Sequence, residues 1–112
     1  MSRQRFLKGQ WAESYVCRFL QIHGFRLVSA NLKTPWAQLD LLMQTPQGKM
    51  LILEVKYLSF GMDPQSRLST GQRQRLERAR FGLMDQSNRP VALGLAYVSP
   101  LGKIDFIDLD EL

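Results

Sequence analysis

Met50-Leu51-Ile52-Leu53-Glu54-Val55-Lys56 decides how this chain is read. Its apolar residues run without alternation up to Glu54, which is the pattern of a strand covered on both faces. Such a strand calls for a sheet with helices packed against it. The same strand ends in Glu54 and Lys56, two residues apart and therefore on one face. Burying charge is costly unless it is paired, hydrogen-bonded or bound to a metal. Both residues are therefore candidates for a functional role.

On the N-terminal side, Gln38 to Gln44 reads as a strand and Pro46-Gln47-Gly48 as a turn. A hairpin closed there is symmetric about position 47, so Asp40 comes out nearly opposite Glu54. Two carboxylates directly opposite repel each other. A divalent cation between them would remove the repulsion. The alternative is a structural salt bridge of Asp40, Glu54 and Lys56 at a sheet end. Phe25 to Asn31 reads as another strand, followed by a turn at Lys33-Thr34-Pro35. Ahead of it, a helix is expected from about Phe6 to His23. Its apolar stripe contains Trp11, Tyr15, Phe19 and Ile22, with Ala12, Val16 and Leu20 alongside. Gly24 suits its C-terminal cap. Glu13 shares a helix side with Gly9, Val16, Cys17 and Leu20, so it borders the core and can point at a neighbouring site. The alternative is an edge glutamate that reaches solvent.

On the C-terminal side, Leu58 to Leu68 reads as a loop containing Gly61 and Pro64. Ser69 can cap a second helix, with Gln72 three residues on. That helix runs to about Met84, with Leu76, Ala79 and Leu83 inward. Val91 to Val98 is a strand, Pro100-Leu101-Gly102 a turn, and Ile104 to Ile107 the last strand. The expected fold is α/β (α+β), a mixed central sheet flanked by helices in the order helix, three strands, helix, two strands.

The chain has 112 residues, the size of one domain, and 45% of them are hydrophobic. No apolar run approaches the roughly 20 residues that span a bilayer. Met1-Ser2-Arg3-Gln4-Arg5 leads into an amphipathic pattern, not a secretory core. The lone Cys17 allows neither an internal disulfide nor a zinc spacing, and a cytoplasmic location is the simplest expectation. The formal charge is +5, and such a balance attracts nucleic acid or an anionic surface. Arg67, Arg73, Arg75, Arg78, Arg80 and Arg89 fall in one segment, opposed there by Glu77 and Asp85. A solvated helix face is the alternative account of them. Steps of two residues rotate about 200° around a helix, so these arginines cannot all face one way. Arg75 and Arg78, three apart, share a side. His23 suits a helix end, Cys17 the core, and Trp36 either covers the sheet edge or stacks on a base.

The order Gly9-x-x-x-Glu13, Gly24-Phe25, Asn31, Leu39-Asp40-Leu41, Glu54-Val55-Lys56 and Gln72-x-x-Arg75-Leu76 resembles the YraN-like proteins. These are predicted endonuclease-like members of the PD-(D/E)XK superfamily, with a restriction-endonuclease-like core related to archaeal Holliday-junction resolvases. The resemblance spans roughly residues 9 to 98. It implies a magnesium- or manganese-dependent DNA endonuclease, structure-selective for branched DNA. Asp40 and Glu54 would hold the metal with the Val55 carbonyl. Lys56 would position the attacking water and counter phosphate charge, and Glu13 matches a first-helix glutamate of the resolvase branch. Read from the residues and not from the resemblance, the expected nucleic-acid contacts are Arg75 and Arg78, with Gln72 and Arg73 beside them and Arg73 contributing less. A homodimer would suit a two-fold junction. The chain departs from the pattern at Ala37-Gln38, where the family carries Gly-Glu. It departs again at Leu58, where arginine is usual, and at Gln72, where lysine is usual. These departures keep a second reading open, a nuclease-fold nucleic-acid-binding module with weakened cleavage.

Overall fold

The computed structural model describes residues 3–59 and 68–111. The chain runs α1 (Arg3–Ile22), β1 (Arg26–Lys33), β2 (Gln38–Gln44), β3 (Met50–Tyr57), α2 (Thr70–Ser87), β4 (Val91–Val98), β5 (Ile104–Asp108), and a closing 3₁₀ turn at Leu109–Glu111. This is the expected order with one short element added. Most of the expected Leu58–Leu68 loop, with Gly61, Pro64 and Arg67, lies outside the described residues.

The strands form one sheet in sequence order, β1-β2-β3-β4-β5. β3 and β4 are parallel and every other pair is antiparallel. A parallel pair needs a crossover, and α2 lies on it. β3 is therefore central, and the unbroken apolar run has its reason in the two layers it separates. On one face Ile52, Leu42, Leu93 and Leu95 pack with Leu76 and Ala79 of α2. On the other, Leu53, Leu41, Met43 and Ala96 pack with Ala12, Val16, Cys17 and Leu20 of α1. Among the described residues no polar or charged side chain is fully buried.

Local chemistry ends the elements where the sequence indicates. Gly24 sits at φ +90°, the Gly24 N–H reaches the Gln21 carbonyl, and the Phe25 N–H reaches that of Leu20. Together these form a Schellman cap. Ser69 and Gln72 form the expected capping box at the start of α2. The hairpin loops of β2–β3 and β4–β5 repeat one design. In Thr45-Pro46-Gln47-Gly48-Lys49 and in Ser99-Pro100-Leu101-Gly102-Lys103, the hydroxyl accepts the lysine N–H four residues on. The glycine of each has positive φ, as a three-residue hairpin loop with a left-handed last position requires.

Two expectations about the helices are corrected. α2 continues past Met84 to Ser87, because Asn88 supplies a left-handed cap whose N–H bonds to the Met84 carbonyl. In α1, Ala12, Val16 and Leu20 are buried, while Trp11, Tyr15, Phe19 and Ile22 are exposed. The two sets are one residue out of phase, about 100° around the helix, so only one can face the sheet. Close packing of helix on sheet selected the smaller set.

Candidate metal and nucleic-acid site

The β2–β3 ladder is regular from Gln44↔Met50 to Leu41↔Leu53. Beyond it, side chains take over from the backbone. The Asp40 N–H donates to Glu54 Oε1 at 3.2 Å, and the Val55 N–H donates to Asp40 Oδ2 at 2.9 Å. Each carboxylate thus accepts a backbone N–H from the opposite strand. This is the pairing that symmetry about position 47 called for. Val55 donates toward β2, and the N–H and C=O of one strand residue leave on the same edge. Its carbonyl oxygen therefore faces the Asp40 strand too.

Glu13 joins from α1. Its carboxyl lies close enough to Asp40 and Glu54 to feel the charge of both. Glu13 is pushed up to about 7, first by burial, then by the Asp40 charge, the hydrogen bond to it and the Glu54 charge. Glu54 is also raised to about 7, by burial and the Asp40 charge, against the pull of the Asp40 N–H and the Lys56 ammonium. The three carboxyls therefore act on one another through their charges, and two of them, Asp40 and Glu54, are held by backbone donors. The half-buried Lys56 ammonium acts on Glu54 from the same strand face.

The donor set suits a hard cation. Carboxylate oxygens and a carbonyl oxygen are magnesium and manganese ligands, and magnesium typically takes one or two protein carboxylates while keeping several waters. Among the described residues, no group of three or more Asp, Glu, His or Cys side chains is placed to hold a metal ion. That is consistent with a carboxylate pair completed by water. Repulsion within the cluster is what a divalent charge would relieve.

The crossover topology brings the first turns of α2 back to the sheet end where β3 finishes. There the candidate contacts separate. Arg75 and Arg78 are exposed, and neither is ion-paired among the described residues. Arg73 donates to the Leu109 carbonyl at 2.6 Å, so it anchors the closing turn. Arg80 is held by Glu77 and Asp110. Gln72 is engaged in the cap through its Oε1. Trp36 packs over Gly82 of α2, where a β-carbon would collide with its ring; this is its covering role. His23 Nδ1 lies 2.7 Å from the Phe19 carbonyl and ties down the end of α1, and Cys17 is buried in the core.

Sequence reasoning missed Tyr57 and Lys8, which sit with Trp11 beside the end of β3. The Trp11 and Tyr57 rings meet edge-on at 6.1 Å, and the Lys8 ammonium lies 5.5 Å from the Tyr57 ring centroid. The available signal was the doubled apolar stripe of α1, one half of which had to remain outside.

Comparison with known proteins follows the same span. The model of the family described as "Uncharacterised protein family UPF0102" matches residues 12–108. A UPF0102 protein of Thermus thermophilus is 37% identical over 91 residues, covering 78% of this chain and 79% of that protein. One from Shewanella loihica is 38% identical over 82 residues, covering 70% and 69%. One from Thermotoga maritima is 27% identical over 93 residues, covering 81% and 85%. Among the described residues no helix is long and apolar enough to cross a membrane.

Proposed function

The chain belongs to the protein family UPF0102, and on that premise we propose that it is a magnesium-dependent DNA endonuclease of the PD-(D/E)XK type, selective for branched DNA and working in the cytoplasm. The observation that carries the reading is the exchange between Asp40 and Glu54. Each carboxylate accepts a backbone N–H from the opposite strand, and a third carboxyl, Glu13, feels the charge of both. A fold held together only by packing has no use for three crowded carboxyls, which weaken it when ionised.

Asp40, Glu54 and the Val55 carbonyl would hold the cation. Once bound, it would supply a Lewis acid at the phosphate and lower the pKa of water beside it. Asp40 and Glu54 are already oriented by backbone N–H groups, so little reorganisation precedes binding. Lys56 places an ammonium on the same face as Glu54. There it can orient a water for attack and oppose the charge that grows on the phosphate oxygens. Glu13, whose proton is exchangeable near neutral pH, can accept a proton from that water. Arg75 and Arg78 would contact phosphates away from the scissile one.

A second reading, a binding module with weakened cleavage, is favoured by one specific observation. At two positions where the family pattern has a cation, this chain has residues used for structure. Leu58 packs on the α2-side core and Gln72 closes the helix cap. A cleavage panel decides between the two: linear duplex, flap and four-way junction DNA, each with magnesium or manganese. Cleavage lost in Asp40→Asn supports the enzyme. Binding without cleavage, by protein that binds the metal, supports the module.

A further inference from the structure

Asn31 holds a left-handed backbone, φ +53°, within β1. Asn88 is the other non-glycine residue with positive φ among the described residues, and it caps α2, an ordinary place for one. A strand is not such a place, and the conformation costs energy unless its surroundings require it. The requirement is visible in the register. Ala30 pairs with Leu41 and Leu32 with Leu39, so Asn31 stands opposite Asp40. Residues two apart on a strand normally share a face. Here Ala30 and Leu41 lie on the α1 side, while Leu32 and Leu39 pack with the α2 layer. Both strands therefore change face at Asn31 and Asp40, the point at which the Asp40 N–H turns to Glu54.

Glycine would serve the backbone alone, and this chain uses it for positive φ at Gly24, Gly48 and Gly102. Asn31 instead keeps an amide, which is exposed and makes no hydrogen bond to a described residue. Asn31 lines a cleft between α1 and β1, with Glu13, Arg18 and Gln21 along one wall and Ala30 and Leu41 beside it. The cleft holds about 280 Å³, room for a phosphate group and several waters. Glu13 and Arg18 are its charged residues, five positions and so about 7.5 Å apart along the helix axis. Glu13 feels the charge of Asp40 and so marks the end next to the candidate site. Arg18, exposed and in no ion pair among the described residues, lies beyond it. β1 adds no acidic residue.

We propose that this cleft is a phosphate-binding subsite beside the Asp40–Glu54 pair, in which the Asn31 amide donates to a nucleic-acid phosphate and Arg18 offsets its charge. This rests on the nuclease-fold reading and deepens it, because it gives the substrate backbone a path along the α1–β1 side of the sheet. Amide and guanidinium groups are the usual donors to phosphate oxygens. A phosphodiester carries one charge, which one arginine matches, whereas a cation would settle at the carboxyl end of the cleft. A phosphate held here fixes the register of the strand, and so which linkage lies at the carboxylates.

The test titrates four-way-junction DNA into whole-chain variants in EDTA, read by anisotropy at several salt concentrations. Asn31→Gly removes the amide and keeps a residue suited to positive φ. Its melting temperature should hold while DNA affinity falls about fivefold, with the salt slope unchanged because no charge is lost. Arg18→Gln should weaken binding about tenfold and lower the slope by about one unit. The double variant should lose less than the product of the two, because both groups hold one phosphate. Lys103→Gln removes an exposed cation beside β5, at the other edge of the sheet from β1, and should change neither affinity nor slope. Arg18→Gln serves alone if Asn31→Gly fails to fold. Wild-type affinity in Asn31→Gly would overturn the subsite and leave Asn31 a backbone device. So would an Arg18→Gln that behaves like Lys103→Gln, or a wild type that binds no DNA. Tighter binding of inorganic phosphate than of DNA, measured by calorimetry, would overturn it in favour of a free anion. Losses as expected, with no cleavage of branched DNA by wild type in magnesium or manganese, would leave the subsite standing and remove the enzyme. Cleavage by wild type, with no loss of binding in either variant, would do the reverse.

Discussion

Glu54 and Glu13 each prefer to stay protonated up to about pH 7, against an ordinary glutamate value of 4.5. Between those values the folded state binds more protons than the unfolded state, so stability falls as pH rises through that window. We expect the urea midpoint of the protein in EDTA to be lower at pH 7.5 than at pH 5. A midpoint that rises over that range would mean burial and neighbouring charge do not raise these carboxyls as described. Asp110 works outside this window: its paired carboxylate is lowered, so its contribution disappears only at more acidic pH. Lys56 makes a different kind of contribution. If its ammonium acts mainly on the developing phosphate charge, Lys56→Met should lower single-turnover cleavage at least about a hundredfold, roughly 2.7 kcal/mol, while DNA affinity changes much less. Equal cleavage rates would remove Lys56 from the chemistry.

At the scale of elements, α2 divides its arginines between structure and solvent. Arg73 and Arg80 are engaged with Leu109, Glu77 and Asp110, whereas Arg75 and Arg78 face outward together. Replacing both outward residues with alanine should weaken DNA binding across all sequences. It should also flatten the plot of log affinity against log salt by about one to two units. Arg73→Ala should instead lower stability and leave the slope alone. An unchanged slope in the double variant would assign the pair to a merely solvated face. The same helix contains Gly82, an interior glycine that lowers helix propensity by about 1 kcal/mol relative to alanine. Trp36 occupies the space a β-carbon would take there. Gly82→Ala should therefore fail to stabilise the protein and should shift Trp36 emission. In a Trp36→Ala background the same change should stabilise it by about 1 kcal/mol. Additive effects in thermal melts would show that Trp36 does not lie over Gly82.

At the scale of the whole molecule, the site lies where both layers and the sheet centre meet. Glu13 comes from α1, Asp40 from β2, and Glu54, Val55 and Lys56 from β3. An ion bound there is linked to the global fold, because the unfolded chain scatters these residues over more than forty positions of sequence. Millimolar magnesium or manganese should raise the melting temperature at pH 7.5, by the mass action of a ligand that binds only the native state. The rise should be smaller at pH 5, where protons compete for the same oxygens. Asp40→Asn should abolish the metal effect and slightly stabilise the metal-free protein by removing like-charge repulsion. Loss of stability in Asp40→Asn, with no metal effect on wild type, would leave the cluster as structure alone.

Much of this molecule is written locally. The apolar run Met50–Leu53 specifies a central strand, Pro46-Gln47-Gly48 sets the hairpin, and its register puts Asp40 beside Glu54. Ser69 and Gln72 mark the start of α2, and Gly24 the end of α1. These depend on alternation, turn chemistry and caps, each confined to a few neighbouring residues. What only the tertiary structure decided was which of two equally apolar stripes of α1 would face the sheet, and which arginines of α2 would remain free. Helical periodicity treats Ala12-Val16-Leu20 and Trp11-Tyr15-Phe19 alike. Close approach to the sheet does not, because the smaller side chains let the helix pack and the rings cannot follow. Likewise Arg73 and Arg78 look alike in sequence. Only the return of the chain at Leu109, 36 residues beyond Arg73, captures one of them and leaves the other exposed.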